Sequence, residues 1–281
     1  MDPLQFVANT RVAVVAGKGG VGKTTVTAVL ARSAISRGLR VLVVELDGKP
    51  TLTNLLPDVQ VLHLTASAAL AEYLDTHGFG AITKRLSRTG IIEVVASAGP
   101  GIDDIVVLGK IKQLEASGDW DFIVVDGPAA GHAVTLLMAP AGMSTTMRSG
   151  PIHHQANDVA AMLADPARCQ VVLVTLPETT PVNECIDTAY ALEERVGVQL
   201  GPVVVNAVDQ GDALPAAEAP AGSGLRAAAE FRNARRSLHA REMARLSDQL
   251  ALPQLVLPQV PGSVLDPAAV NTLATSWGGN G

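Results

Sequence analysis

The chain has 281 residues, 48% of them hydrophobic, a formal charge of −6 and two cysteines. That content supplies a core for one large α/β domain or two small ones and excludes a disordered chain. The acidic balance argues against nucleic acid as the main partner. Cys169 and Cys185, outside any Cys-x-x-Cys spacing, argue against a disulfide framework or a zinc site and suit a reducing cytoplasm.

Met1 to Thr10 lacks the basic start and apolar core of a signal peptide. No stretch reaches about eighteen uninterrupted apolar residues, so stable membrane insertion is not expected. Val12 to Ala16 reads as a buried strand and Thr25 to Ser36 as a helix. Between them stands Gly17-Lys18-Gly19-Gly20-Val21-Gly22-Lys23-Thr24-Thr25. Strand, glycine-rich loop and helix together predict a phosphate-binding loop. Its glycines let successive N–H groups converge on an anion, and the helix N-terminus adds positive potential. Lys23 reaches the β- and γ-phosphates, the Thr24 hydroxyl is placed for Mg²⁺, and Thr25 offers a further hydrogen bond. The predicted ligands are therefore ATP and Mg²⁺.

Val41 to Leu46 predicts a second buried strand, ending at Asp47-Gly48-Lys49-Pro50. Asp47 is either a turn former or the carboxylate that orients an attacking water, and the loop upstream favours the second role. Val59 to Leu64 predicts a short strand. Ala66 to Leu74 and Ala81 to Leu86 predict helices, and Ile91 to Ala96 a further strand. Asp103 or Asp104 is placed to cap a helix running to about Ala116. Phe122 to Val125 followed by Asp126 predicts a strand ending in a metal carboxylate opposite Thr24. Gly127-Pro128-Ala129-Ala130-Gly131-His132 then predicts a loop that rearranges when phosphate is lost. His132 either senses phosphate or caps the next helix.

Four of the six methionines fall between Met138 and Met162. Flexible thioethers suit a groove for apolar ligands or simple core filling. His153 and His154 are adjacent, which suits a surface or capping role as well as a metal. Val171 to Leu176 predicts a strand, followed by Pro177-Glu178 and a helix from Asn183 to about Arg195. Pro202 to Val205 predicts a strand ending at Asn206, whose carboxamide can pair with adenine. Residues 209–224, rich in Ala, Pro and Gly, predict a mobile loop. An arginine-bearing helix then runs to about Leu250, as a solvated face or a surface for an acidic partner. Leu255 to Leu257 is a last strand. The alternation predicts an α/β fold, a predominantly parallel sheet with helices on both faces, as a single P-loop domain over 1–281.

Lys18, one residue into the loop, resembles the signature lysine of the deviant Walker A family. That family includes septum-site and chromosome-partition ATPases, nitrogenase iron protein, the arsenical pump ATPase and the GET-type targeting ATPase. The resemblance implies that Lys18 crosses a dimer interface onto the partner's phosphates. Asp126-Gly127-Pro128-Ala129-Ala130-Gly131-His132 is similar to the Asp-Thr-Ala-Pro-Thr-Gly-His signature of the arsenical-pump and GET-type branch, with Pro128 one place early. Pro100-Gly101-Ile102-Asp103-Asp104 is similar to that branch's Pro-Gly-Ile-Asp-Glu. Asp47 corresponds to the aspartate of its Asp-Pro-Ala-His switch, which implies the water-activating role. Asn206 and Glu178 match its nucleotide contacts, and Gln259, Val260 and Pro261 its adenine cover. Residues 138–166 match its helical cargo-binding insertion, in reduced form.

Leu108-Gly109-Lys110-Ile111-Lys112 and Gly150-Pro151-Ile152-His153 resemble the short actinobacterial members, which occur as paired paralogues. The resemblance implies a dimeric ATPase, homodimer or heterodimer with a paralogue, acting on a partner or hydrophobic protein cargo. The rival readings are a nucleotide-binding switch subunit with little hydrolysis, and an arsenite or anion-efflux ATPase. Efflux ranks low because that branch uses three thiolates and this chain has two cysteines. Partition or septum positioning needs a basic DNA surface or an amphipathic tail, and Pro267 to Gly281 is not basic.

Overall fold

The computed structural model describes residues 3–46, 50–76, 101–146, 149–215, 224–260 and 265–278. The segment carrying the expected helix at Ala81 to Leu86 and strand at Ile91 to Ala96 lies outside them, as does the end of the Ala-Pro-Gly loop.

Among the described residues, seven parallel strands form one sheet in the order β3-β2-β4-β1-β5-β6-β7. They are β1 (Val12–Gly17), β2 (Val41–Glu45), β3 (Gln60–His63), β4 (Phe122–Ala129), β5 (Cys169–Thr175), β6 (Val203–Val208) and β7 (Gln254–Pro258). Strands covered on both faces need apolar side chains in both directions, which is why β1, β2 and β4 read as continuous hydrophobic runs. Val12, Val14 and Ala16 enter one core, and Ala13 and Val15 the other.

The second core is covered by α1 (Pro3–Asn9), α2 (Lys23–Ser36), α3 (Thr51–Leu55) and a C-terminal helix, α10 (Pro267–Gly278). Trp277 anchors α10 by donating from its indole to Val256 O at 2.9 Å. The opposite face carries α4 (Ala66–Leu74), α5 (Ile102–Ala116), α6 (Ala130–Thr146), α7 (Pro151–Ala164), α8 (Thr179–Arg195) and α9 (Gly224–Gln249). No helix among the described residues is long and apolar enough to cross a membrane.

Several expectations are corrected. Gly127, Pro128 and Ala129 continue β4, with Ala129 in register with Gly17, and His132 lies in the first turn of α6. The glycine belongs there because a Cβ at position 127 would strike the Val15 carbonyl. The cap of α5 is Gly101; Asp103 and Asp104 sit in its first turn, where they complement the helix dipole. Burial and then the neighbouring Asp103 raise the Asp104 carboxyl, with His132 opposing. α8 begins at Thr179, ahead of the expected Asn183, because Pro181 falls in its first turn, where no N–H is needed. Asn206 lies inside β6 rather than at its end.

Candidate nucleotide site

β1 sits where the chain's connections diverge, toward β2 and β3 on one side and, from its neighbour β5, toward β6 and β7 on the other. Open α/β sheets bind ligands at such a point, beyond the strand ends. The glycine-rich loop turns there from β1 into α2. Gly22 caps α2 at φ 91°, a left-handed conformation that favours glycine. A Cβ at position 22 would also collide with the Asn206 amide. Asn206 is buried and donates from Nδ2 to Val21 O at 2.9 Å, while its Oδ1 accepts from Ala207 N at 2.9 Å. The residue expected on adenine thus braces the phosphate loop, and its carboxamide retains one proton and one lone pair for a base.

Lys23 curls over the loop, its Nζ donating to Gly17 O at 3.2 Å and Lys18 O at 3.3 Å. Thr24 Oγ1 donates to Asp126 Oδ2 at 2.8 Å, and Thr27 Oγ1 to Asp126 Oδ1 at 3.2 Å. Asp126 is 7% exposed, and these two donors offset part of the cost of burying its carboxylate. Thr27 was absent from the sequence reading. The signal was its i+3 spacing from Thr24, which puts both hydroxyls on one helix face.

A cavity of about 440 Å³ opens between Gly20, Gly22, Lys23 and Thr24 on one side and the Asp126 end of β4 on the other, with Leu46 on its wall. That volume lies in the usual ligand range of about 300–1,000 Å³. The adjacent Thr24 hydroxyl and Asp126 carboxylate are the hard oxygen donors that Mg²⁺ takes. Among the described residues no group of three or more His, Cys, Asp or Glu could hold a metal. A cation held by Thr24 and Asp126 would complete its shell with waters and phosphate oxygens, as Mg²⁺ does at nucleotide sites. Of the other expected loop residues, Gly17 ends β1, Gly19 and Val21 lie in the loop and Thr25 in α2, and none of the four lines the cavity. Asp47 and Pro261 lie outside the described residues.

Lys18 does not line the cavity. Its Nζ forms an ion pair with Glu184 Oε1 on α8 at 2.5 Å, the two side chains being 36% and 42% exposed. Glu184 escaped the sequence reading because 166 residues separate the pair. On the base side, Glu178 stands at the N-cap of α8 and accepts from Arg235 at 3.3 Å. Gln259 N donates to Val208 O at 2.9 Å. With Asp209 and Arg232 it walls a cavity of about 410 Å³. Val260 packs against the core. Arg232 holds the Asp209 carboxyl down at about 2.

The other candidates disperse. Cys169 and Cys185 are buried, and burial pushes both thiols up to about 12. His153 Nε2 lies 3.1 Å from the Asn157 amide. Met162 is fully buried while Met138 is exposed, so the two serve different surroundings.

Residues 10–151 match the family model described as anion-transporting ATPase. The chain is 32% identical over 227 residues to the ATPase BagA of Mycobacterium tuberculosis, covering 71% of this chain and 66% of that protein. It is 30% identical over 202 residues to the arsenical pump-driving ATPase of Escherichia coli, covering 68% of this chain and 33% of that protein. A protein of the same description from Acidiphilium multivorum matches to the same extent, 30% over 202 residues. The chain thus spans just under two thirds of the mycobacterial relative and one third of the pump ATPases.

Proposed function

The chain belongs to the anion-transporting ATPase family, and on that premise we propose that it binds and hydrolyses Mg·ATP as a dimer whose nucleotide state sets an open or a closed form. The observation that carries this reading is the split between two lysines of one loop. Lys23 lines the phosphate cavity, whereas Lys18 stands outside it against Glu184. A cation so placed suits a neighbouring chain's nucleotide better than its own.

The magnitudes favour that exchange. An exposed ion pair such as Lys18–Glu184 is worth about 0–1 kcal/mol. A lysine about 4 Å from a phosphate oxygen gains roughly 4 kcal/mol at an effective dielectric near 20. Two symmetric contacts, taken before desolvation and the loss of the two ion pairs, are of the same order as the roughly 5 kcal/mol needed to move a population from mostly open to mostly closed.

Within each site the loop N–H groups and the α2 N-terminus hold the phosphates. Lys23 turns from the loop carbonyls to the β- and γ-oxygens. Asp47 orients the attacking water, Asn206 keeps the loop in shape, and Glu178 and Gln259 flank the base. Mg²⁺ held by Thr24 and Asp126 supplies charge neutralisation on the phosphate oxygens. The partner is a second copy or a paralogous ATPase, and the closed form presents a surface to a protein or hydrophobic cargo. Metalloid transport, carried by the name of the Escherichia coli relative, gains no support from two buried, protonated thiols.

Lys18→Ala should lower turnover by about a thousandfold, the scale of a lost cationic finger, while ATP binding persists. Steady-state hydrolysis at the wild-type rate would count against the reading. Turnover that appears only when a paralogue is added would assign the partner as a heterodimer.

A further inference from the structure

We infer that Glu45, through Leu52 and His63, is a positioning residue for ATP hydrolysis. The inference rests on the proposed role of Asp47.

His63 on β3 is in register with Glu45 on β2, and Glu45 with Asp126 on β4. Register partners project to the same face, and neighbouring strands lie about 4.8 Å apart. A polar row therefore crosses three strand ends at the level of the expected metal carboxylate. Val41 and Val43, facing the same way from β2, are apolar and buried in the second core. Glu45 is just as buried, at 1% exposure. An apolar side chain would pack there without the cost of taking a carboxylate out of water.

The carboxylate's contacts say what it does instead. Oε1 accepts a long hydrogen bond from Leu52 N at 3.4 Å, in α3. Oε2 lies 2.7 Å from His63 Nδ1 but without the alignment of a hydrogen bond, so among the described residues it has no aligned donor. The other ring nitrogen, Nε2, is 3.3 Å from Thr53 Oγ1. One buried side chain thus ties the end of β2 to α3 and to the end of β3. The five residues between Glu45 and Thr51 include Asp47, and the first of them, Leu46, lines the phosphate cavity. Holding residues 45 and 52 holds both ends of the segment that carries the water-orienting carboxylate. None of these contacts touches Lys23 or Thr24, so nucleotide affinity should be spared.

The test measures single-turnover ATP hydrolysis and ATP affinity separately in Glu45→Ala, Glu45→Gln and His63→Ala, each also combined with Asp47→Asn. Glu45→Ala should lower the hydrolysis rate at least tenfold with ATP Kd within about twofold. Glu45→Gln, which keeps one acceptor oxygen, should fall between it and wild type, and His63→Ala should cost a few-fold. In the Asp47→Asn background none of the three should cost anything more. Wild-type hydrolysis in Glu45→Ala, parallel losses of rate and affinity, or full additivity with Asp47→Asn would each overturn the inference. Should Glu45→Ala fail to fold, the near-isosteric Glu45→Gln carries the same comparison. Wild-type turnover in Asp47→Asn alone would instead overturn the proposed role of Asp47. An inactive Asp47→Asn beside a fully active Glu45→Gln overturns only the inference about Glu45.

Discussion

At the phosphate end of the candidate site, side chains from α2, β4 and β6 close on one another over short distances within the sheet's core. Thr24 and Thr27 hold Asp126, and Asn206 holds the loop. At the end expected to hold the base, two ion pairs reach from α9 to the loops after β6 and β5: a two-point pair of Arg232 with the largely buried Asp209, and a half-exposed pair of Arg235 with Glu178. His239, buried in the same helix, has both ring nitrogens unanswered among the described residues. The difference teaches where stiffness is needed. Phosphates require a fixed cradle of donors, whereas at the other end the half-exposed Arg235–Glu178 pair adds little stiffness. The backbone of Lys18 belongs to the stiff loop, whereas among the described residues its side chain is held by an exposed pair with Glu184, whose release leaves the cradle's own bonds in place.

The largest break in that contrast comes from Lys23→Ala, which removes charge-assisted bonds worth about 1.5–3 kcal/mol each. ATP Kd measured by titration should weaken about a hundredfold or more. Next comes Gly22→Ala. A left-handed conformation imposed on alanine costs about 1–3 kcal/mol, before the clash with Asn206. The backbone cost alone should lower the thermal unfolding midpoint by about 2–5 °C, with ATP binding weakened alongside.

His239→Leu probes the looser end and should have the opposite sign. Removing two buried, unanswered nitrogens should stabilise the protein by about 1 kcal/mol at neutral pH, read by urea unfolding. Burial, then the Arg235 charge, lowers the His239 pKa from its ordinary 6.5, with Glu178 and Asp209 pulling the other way. The native ring therefore stays neutral while the unfolded chain takes up a proton as pH falls through about 6.5. Stability is lost below that pH, down toward the lowered native pKa, and His239→Leu should flatten this part of the profile. Smallest of all, Arg235→Gln breaks a half-exposed pair and should cost less than about 1 kcal/mol. A loss as large as that of Gly22→Ala would erase the distinction between the two ends.

Sequence reading reached the stiff end more fully than the loose one, for a physical reason. The nine loop residues, the apolar runs of β1, β2 and β4, and Asp126 are local patterns, and local patterns are what a sequence displays. Gly127 and Pro128 read as strand breakers, but tertiary pairing of Ala129 with Gly17 carried β4 through them. The helix expected from Asn183 starts at Thr179, with Pro181 in its first turn. Glu184, His63 and Asn206's grip on Val21 involve partners far along the chain or across strands, and no periodicity announces them. Glu45 was visible only as an interruption in an apolar run. The register of three strands gives that interruption its meaning.

The central claim is that Lys18 acts on another chain's nucleotide, and complementation by mixing tests it most directly. Lys23→Ala cannot hold ATP but still supplies Lys18; Lys18→Ala holds ATP but lacks the lysine to lend. Each should be inactive alone. Mixed at concentrations where dimers exchange, they should recover a substantial fraction of wild-type hydrolysis, from the one complete site in each mixed dimer. No recovery, although mixed dimers are seen to form, would contradict the account.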